Sequence, residues 1–308
     1  MTPLALKFHS HLRSRRTSCT AAVHRLYTTI KPTKEQLALV VGSSGALGST
    51  IVSHLQKSKN RVTVIGADVN MNDKVDVDAF IKLNVGGSVD QISSELENGF
   101  KDLFESKPEF DHIICANGGF SMDINGDGNS GDSDNVFGNM LEMNYNPTAA
   151  ACSEAILPFI TTENGLFVAF GAMAARDPLD DNSLMKGYIK SKKEVHGLIE
   201  RVGKMTGQAL KKSKGLHITQ NRRKFQCLHE LTALAILPST LDTPANRDAM
   251  NPSNEELNQW TKLDDVAKEI LTWIDMEDLR PHSGSFLKCV TTDRQTEFIM
   301  TTGGNYEA

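Results

Sequence analysis

Short apolar runs alternate with segments of helical spacing along most of the chain, and this alternation constrains the fold more than any other feature. Apolar runs without polar alternation are typical of parallel strands buried on both faces. Strands joined through helices form right-handed crossovers. The sequence therefore predicts an α/β fold, a single Rossmann-type doubly wound parallel sheet of about seven strands with helices on both faces. The predicted strands lie at 37–44, 61–68, 80–84, 112–119, 165–172, 232–239 and 285–292, and the predicted helices include 136–157 and 255–275.

One domain over residues 35–308 accounts for this pattern, and two polar stretches interrupt it as insertions. Both exceed the usual connection of ~2–6 residues in α/β proteins. The first, near 121–135, resembles half of a calcium-binding loop, but Asp134 stands where such loops have glutamate, which favours a flexible insertion. The second, near 211–230, is basic but has one aromatic residue, which favours a solvated loop or translated non-coding sequence over a nucleic-acid site.

The first 34 residues differ in charge from the rest of the chain. They hold seven Lys and Arg and no acid, so the remainder carries −12 within the total of −5. A segment rich in Arg, Ser and Thr and free of acids is typical of an organelle transit peptide. We therefore predict that residues 1–34 direct the protein to the mitochondrion, with a plastid or the cytoplasm as the alternatives.

The sequence contains no pattern that indicates a metal site or a membrane-spanning helix. The five cysteines have no C-x-x-C spacing, and His196 and His217 have no matching ligand partners. No apolar run approaches the ~20 residues of a membrane-spanning helix. The sequence therefore predicts no metal, no membrane partner and no nucleic-acid partner; a small-molecule substrate remains.

A glycine-rich turn follows the first predicted strand. Gly42, Gly45 and Gly48 are spaced by three residues between that strand and the first helix. The first glycine permits a tight turn, the second lets the backbone approach a ligand, and the third lets the helix pack on the strand. The helix N-terminus then points at a pyrophosphate. This turn predicts a dinucleotide site, to which we also assign Ser44, Ala46 and Leu47.

Further cofactor residues are predicted at the carboxyl ends of other strands, where ligands bind in this architecture. Asp68 ends the second strand, where a carboxylate can accept hydrogen bonds from both adenosine ribose hydroxyls and repel a 2′-phosphate. The sequence therefore favours NADH, with NADPH as the less favoured cofactor. The remaining predicted cofactor residues are Ala116, Asn117 and Gly118 after the fourth strand, and Pro238 and Thr240 after the sixth.

Tyr188 and Lys192 stand four residues apart in a predicted helix, so their side chains share one face. An ammonium beside a phenol stabilises the phenolate and lowers the pKa of the tyrosine from its usual value of about 10. The spacing therefore predicts a catalytic pair in which Tyr188 is a proton donor near neutral pH. A surface tyrosine beside a solvated lysine is the alternative.

The glycine turn, the sequence Ala116–Gly119, the Tyr188–Lys192 spacing and the Pro238–Thr240 segment resemble, in this order, the short-chain dehydrogenase/reductase family. Longer strings at 237–250 and 280–297 resemble its quinonoid dihydropteridine reductases. The resemblance implies NADH-dependent reduction of a quinonoid dihydropterin to a tetrahydropterin by a homodimer. It also implies that Lys192 bonds the nicotinamide ribose, that Asn144 holds a proton-relay water, and that Phe120 and Tyr188 contact the substrate. Phe120 stands where those reductases have tryptophan.

The chain departs from most of the short-chain family in one catalytic group. That family has a serine after the fifth strand, whereas this chain has alanines at 172, 174 and 175, and Ser183 is the only serine between that strand and Tyr188. Pteridine reductases resemble the chain in this respect. Two alternatives stay open at this point: another short-chain reductase acting on a carbonyl or enone, and a non-catalytic NADH-binding protein.

Overall fold

The computed structural model describes residues 36–123, 133–161, 164–176, 183–212 and 231–301. The predicted transit peptide and most of both predicted insertions lie outside these residues. The structure therefore does not test the transit peptide or the two insertions. Among the described helices, none combines the length and the apolar composition that a membrane-spanning segment requires. The described ranges contain no group of three or more His, Cys, Asp or Glu residues that could hold a metal ion.

The sheet confirms the predicted doubly wound architecture. Its strands follow the order β3-β2-β1-β4-β5-β6-β7-β8, in which β1 to β7 run parallel and β8 runs antiparallel to β7. The strands are β1 Gln36–Val41, β2 Val62–Asp68, β3 Ala79–Lys82, β4 His112–Cys115, β5 Leu166–Phe170, β6 Thr232–Leu237, β7 Ser285–Thr292 and β8 Gln295–Thr301.

The eighth strand was not predicted. Strand β8 lies at the sheet edge, and its residues alternate between half-buried and exposed rather than forming an apolar run. It is joined to β7 through Asp293 and Arg294, both of which have positive φ angles (49° and 62°). Positive φ at both central residues is typical of a tight hairpin turn, which usually contains Asn-Gly or Asp-Gly. Because this turn contains Asp-Arg instead, no signal in the sequence predicts a hairpin here.

The helices cover both faces of the sheet, and two predicted helical ranges were wrong in extent. The predicted helix 136–157 is interrupted by a π-helical turn over Leu141–Tyr145 and ends at Ala151. The predicted helix 255–275 is broken because Thr261 pairs with Leu241 as a short bridge. The helices are α1 Ala46–Gln56, α2 Val89–Leu103, α3 Ser133–Met140, α4 Asn146–Ala151, α5 Lys186–Lys212, α6 Pro244–Met250, α7 Asn254–Leu257 and α8 Leu263–Asp275.

Two hydrophobic cores form, one on each face of the sheet. One joins α2, α4 and α5 to the strands and includes Phe100, Phe167 and Val195. The other joins α1 and α8 to the opposite face and includes Ile51 and Trp273. Burial on both faces explains why the central strands are apolar throughout. The carboxyl ends of the seven parallel strands meet at one edge of the sheet, where the predicted site residues lie.

Candidate active site

The turn between β1 and α1 has the geometry of an anion-binding site. Gly42 has a φ of 80°, and a Cβ there would lie 2.5 Å from the backbone nitrogen of Asn117. A Cβ on Gly48 would overlap the carbonyl oxygen of Gly42. Helix α1 begins at Ala46 behind Gly45, with no side-chain cap and no acid in its first turn. Its first N–H groups are therefore available to an anionic ligand.

Asp68 ties the end of β2 to this turn. Its carboxylate accepts hydrogen bonds from the backbone nitrogens of Ser44 (2.8 Å) and Val69 (2.7 Å). The Ser44 hydroxyl donates to the carbonyl of Asn70 (2.6 Å). These bonds fix the carboxylate beside the glycine turn.

A cleft of about 810 Å³ opens along the carboxyl ends of β1, β2 and β4. The only charged side chains among the described lining residues are the carboxylates Asp68 and Glu142. The predicted site residues that line the cleft are Gly42, Ser44, Gly45, Asp68, Ala116, Asn117, Gly118 and Phe120.

The other predicted cofactor residues lie outside the lining of this cleft. Ala46, Leu47 and Gly48 form the first turn of α1, where Leu47 is buried in the core beneath the sheet. Pro238 and Thr240 follow β6. The Pro238 carbonyl accepts a hydrogen bond from the backbone nitrogen of Met173 (3.2 Å), which joins the ends of β5 and β6.

Asn144 lies inside the π-helical turn, and the turn brings its amide to the end of β4. The side chain is 1% exposed. Its Oδ1 accepts from the Gly119 nitrogen (3.0 Å), and its Nδ2 donates to the Ser191 hydroxyl (3.1 Å). Asn117 in turn donates from Nδ2 to the carbonyl of Met143 (3.0 Å). Single π turns inside α-helices are frequent at functional sites because they re-aim side chains.

The side chain of Lys192 extends from α5 to the Gly118 backbone, close to the Asn144 amide. Its Nζ donates to the carbonyl of Phe170, the last residue of β5, at 2.9 Å. A Cβ on Gly118 would lie 2.8 Å from Asn144 Oδ1 and 3.3 Å from Lys192 Nζ. The Gly118 backbone therefore passes between the amide and the ammonium, and only glycine leaves both groups in place. Tyr188 stands one turn earlier on α5, with its ring centroid 6.0 Å from Lys192 Nζ.

The predicted lowering of the pKa of Tyr188 was wrong. Burial raises the pKa of this phenol to about 12, and burial lowers the pKa of Lys192 to about 8. Burial disfavours the charged form of each group. The Lys192 ammonium bonds Phe170 rather than the phenol, and within the described part of the chain no group hydrogen-bonds the Tyr188 hydroxyl. Tyr188 therefore keeps its proton at neutral pH.

The segment after β5 begins next to Phe170, whose carbonyl Lys192 bonds, and it contains alanines. Ala172 and Ala175 are buried, and residues 171–176 contain no hydroxyl group. The Ala172 nitrogen donates to Nε2 of His196 (3.3 Å), whose ring would overlap a Cβ on Gly171. Burial, with Arg176 and two lysines nearby, lowers the pKa of His196 to about 3, so the imidazole stays neutral. Ser183 lies apart, where its hydroxyl accepts from the Met185 nitrogen (3.2 Å).

Phe120 lies at the mouth of the site. Its ring meets the Tyr188 ring edge-on, with centroids 5.1 Å apart and planes at 79°. Phe120 is 49% exposed although it is a large aromatic residue. The ring therefore offers a free aromatic surface between the cleft and the phenol, where a flat substrate could pack.

Sequence reasoning missed three polar residues that hold this site together. Ser191 is fully buried and joins Asn144 to the Tyr188 carbonyl (2.7 Å). Thr148 donates to the Oδ1 of Asn117 (3.1 Å). Asp123 binds the first turn of α5. For Ser191 a signal was present, because it lies three residues after Tyr188 on the inward face of the same helix.

Comparisons with known proteins found relatives in sequence and in fold. The chain is 31% identical over 259 residues to dihydropteridine reductase from Dictyostelium discoideum, over 84% of this chain and 96% of that protein. A short-chain dehydrogenase/reductase from Serratia marcescens matches at a TM-score of 0.54 and 15% identity, over 81% and 92% of the two chains. The oxidoreductase yciK from E. coli matches at 0.59 and 14%, over 84% and 98%. These structures show the fold alone. No protein-family model matches the chain.

Proposed function

Because the chain belongs to the dihydropteridine reductase family of short-chain dehydrogenases/reductases, we propose that it catalyses NADH-dependent reduction of a quinonoid dihydropteridine to the tetrahydropteridine. In the cell this activity would regenerate tetrahydrobiopterin. One observation supports this substrate over a ketone. The Tyr188–Lys192 pair is intact, while the segment that follows Phe170, the residue bonded by Lys192, has alanines and no hydroxyl group.

The residues of this chain fit a nicotinamide dinucleotide. The uncapped start of α1 and the Gly42 turn suit the pyrophosphate, because free N–H groups and a helix dipole favour an anion. Asp68 suits the adenosine ribose. Lys192 and Asn144 suit the nicotinamide end of the site. When bound, the dinucleotide supplies the hydride.

The charges around the cleft favour NADH over NADPH. Asp68 and Glu142 are negative, and no described lining residue is positive. A 2′-phosphate there would meet like charge without an arginine or lysine partner. We expect Asp68→Asn to raise kcat/KM for NADPH at least about tenfold while lowering it for NADH, because the repulsion is removed.

Initial rates with the two cofactors measure this change. The exposed Asp90 of α2 does not line the cleft, so Asp90→Asn is the matched control. An unchanged NADPH-to-NADH ratio in Asp68→Asn would contradict the ribose role.

Tyr188 supplies the proton in this proposal. The reaction adds one hydride and one proton to the quinonoid ring, so the substrate gains two electrons. A phenol with a pKa raised to about 12 carries its proton at neutral pH and can donate it as the ring nitrogen gains electron density. The nearby Lys192 ammonium stabilises the phenolate that forms, and solvent restores the proton through the groups around Asn144.

A missing hydroxyl is tolerable for this substrate class. A ketone develops an alkoxide in the transition state, which positioned donors stabilise strongly. A quinonoid ring already accepts hydride readily and regains conjugation, so it needs less stabilisation of this kind. The alanines at 172 and 175 therefore favour a primed acceptor over a simple carbonyl.

The ionisation of Lys192 is expected to determine how kcat/KM for NADH falls at high pH. Its pKa is lowered to about 8 by burial, so the ammonium is lost as the pH rises through that value. We expect kcat/KM for NADH to be flat below about pH 8 and to fall above it, because kcat/KM reports the free enzyme. Initial rates from pH 6.5 to 9.5, with the enzyme-free rate subtracted, measure the profile. A profile that stays flat to about pH 9.5 would contradict the role of the ammonium.

The substrate is tested by NADH oxidation with the purified protein. Chemically generated quinonoid dihydropterin is compared with a panel of ketones and enones under identical conditions. The proposal expects turnover with the pterin and little with the panel. Turnover with ketones alone would establish a different short-chain reductase, and no turnover with NADH bound would establish a non-catalytic binding protein.

We also propose a homodimer and a mitochondrial location. The homodimer rests on the family resemblance, and the location rests on the charge and composition of residues 1–34. Light scattering of the purified protein measures the first, and import of a fluorescent protein fused to residues 1–34 measures the second.

A further inference from the structure

Asp123 is a buried acid that the reaction does not use directly. It lies at the start of the Gly-rich stretch after β4, and it is 2% exposed. Both oxygens of its carboxylate accept the backbone N–H of Gly187, at 3.0 and 3.2 Å. Gly187 directly precedes Tyr188 in the first turn of α5. A buried carboxylate from a distant loop is thus bonded to the residue next to the proton donor.

The bond satisfies a group that the helix cannot satisfy itself. The first four N–H groups of a helix have no partner within it, and a buried one needs an acceptor from elsewhere. Gly187 is the second residue of α5, so its N–H is one of these four. A carboxylate is also the favoured acceptor there because the helix N-terminus is positive. Asp123 therefore caps α5 from outside the helix.

The surrounding packing leaves this junction little freedom. A Cβ on Gly187 would lie 2.8 Å from the Phe137 nitrogen, 2.9 Å from Val136 Cγ1 and 3.0 Å from Asp123 Oδ1. The Asp123 nitrogen also donates to the carbonyl of Leu184 (2.7 Å), just before α5. The loop and the helix start are therefore joined in both directions, by one backbone bond and one carboxylate.

This junction connects the two aromatic residues of the site. Phe120 lies three residues before Asp123 on the loop, and Tyr188 lies one residue after Gly187 on the helix. Their rings meet edge-on at 5.1 Å. We infer that Asp123 is a positioning residue: its carboxylate fixes the first turn of α5 and thereby sets the Tyr188 phenol against Phe120 and the substrate. This inference rests on the proposed function of Tyr188.

The same contacts change the interpretation of the sequence around Asp123. It would be the first ligand of the calcium-like pattern 123–134, but its carboxylate is buried and bonded to Gly187. Residues 124–132 lie outside the described residues. The acid at position 123 is therefore explained by the helix that it caps.

Three variants of the full chain test the inference. Asp123→Ala removes the acceptor, and we expect kcat with quinonoid dihydropterin to fall at least about tenfold, because small displacements of a catalytic group cost large factors in rate. The dissociation constant for NADH is expected to stay within about twofold, since the cofactor contacts lie elsewhere. Asp123→Asn keeps one oxygen acceptor and is expected to restore kcat to within about threefold of the wild type. Gly187→Ala keeps Asp123 but crowds the junction, and it is expected to lower kcat as Asp123→Ala does.

Asp134→Asn is the matched control for charge. Asp134 belongs to α3, has an 88% exposed side chain and lies 3.8 Å from Lys190 of α5. The substitution removes one nearby acid without changing the bond between Asp123 and Gly187, so kcat is expected to be unchanged.

Hydrogen exchange gives a readout that needs no substrate. In Asp123→Ala the amides of residues 184–190 are expected to exchange at least about tenfold faster, and in Asp123→Asn they are not. A wild type inactive on the pterin would defeat the proposed function, and exchange would then still decide whether Asp123 fixes the helix start. The inference is overturned by unchanged exchange, by kcat within about twofold of the wild type in Asp123→Ala, or by equal losses of kcat and NADH affinity.

Discussion

Tyr188→Phe is expected to lower kcat with quinonoid dihydropterin at least about 100-fold, the scale of a lost general acid. Phenylalanine keeps the ring that packs edge-on against Phe120 at 5.1 Å, so the substitution removes only the hydroxyl. The Lys192 contact to the Phe170 carbonyl does not involve the phenol and should persist. Affinity for NADH is therefore expected to stay within about twofold of the wild type.

Stopped-flow or initial-rate measurements at saturating NADH give kcat, and fluorescence titration gives the dissociation constant. Tyr145→Phe is the matched control because Tyr145 packs against the core and its ring does not meet Phe120. Unchanged turnover in Tyr188→Phe would exclude the phenol as the proton donor. Equal losses of kcat and NADH affinity would point to a packing role instead.

Gly48→Ala is expected to weaken NADH binding at least about tenfold, because helix α1 cannot keep its place against β1. The added Cβ would overlap the carbonyl oxygen of Gly42, so either the turn or the helix start must move. That movement displaces the free N–H groups at the start of α1, on which pyrophosphate binding depends. The melting temperature is expected to fall as well, since the clash is with backbone.

Gly138→Ala supplies the control for this substitution. Gly138 is a helical glycine whose added Cβ would meet nothing within 4 Å beyond its own stretch of helix, so the same chemical change meets open space there. Its NADH affinity is expected to match the wild type. Isothermal titration with NADH compares the two variants, and equal affinities would contradict the assignment of the glycine turn.

The fold was largely predictable because the deciding signals are local. Buried parallel strands are continuous apolar runs, and the glycine turn marks the entry to α1. The errors occurred where contacts between residues distant in the chain determine the limits of a helix or the presence of a strand. Helix α7 stops before α8 because Thr261 pairs with Leu241, about twenty residues away in the chain. Strand β8 exists because it pairs with β7, and its own sequence is half polar.

The sequence predicted side chains that the structure brings together at the carboxyl edge of the sheet, but it did not predict their electrostatics. The spacing of Tyr188 and Lys192 predicted that both side chains share one face of a helix, and the structure has the ring and the ammonium one turn apart on α5. Spacing could not show that both groups are buried or that the ammonium bonds a backbone carbonyl, and burial reversed the predicted pKa direction of Tyr188. Nor could it show that Asp123 meets Gly187, because that contact joins residues 64 positions apart.

The central claim is that this chain reduces a quinonoid dihydropterin with NADH, and product stoichiometry tests it most directly. Purified protein, NADH and chemically generated quinonoid dihydropterin are mixed, and both NADH loss and tetrahydropterin formation are followed, with Tyr188→Phe in parallel. The account predicts one tetrahydropterin formed for each NADH consumed by the wild type, and little of either in the variant. NADH consumption without tetrahydropterin, or equal product from Tyr188→Phe, would contradict it.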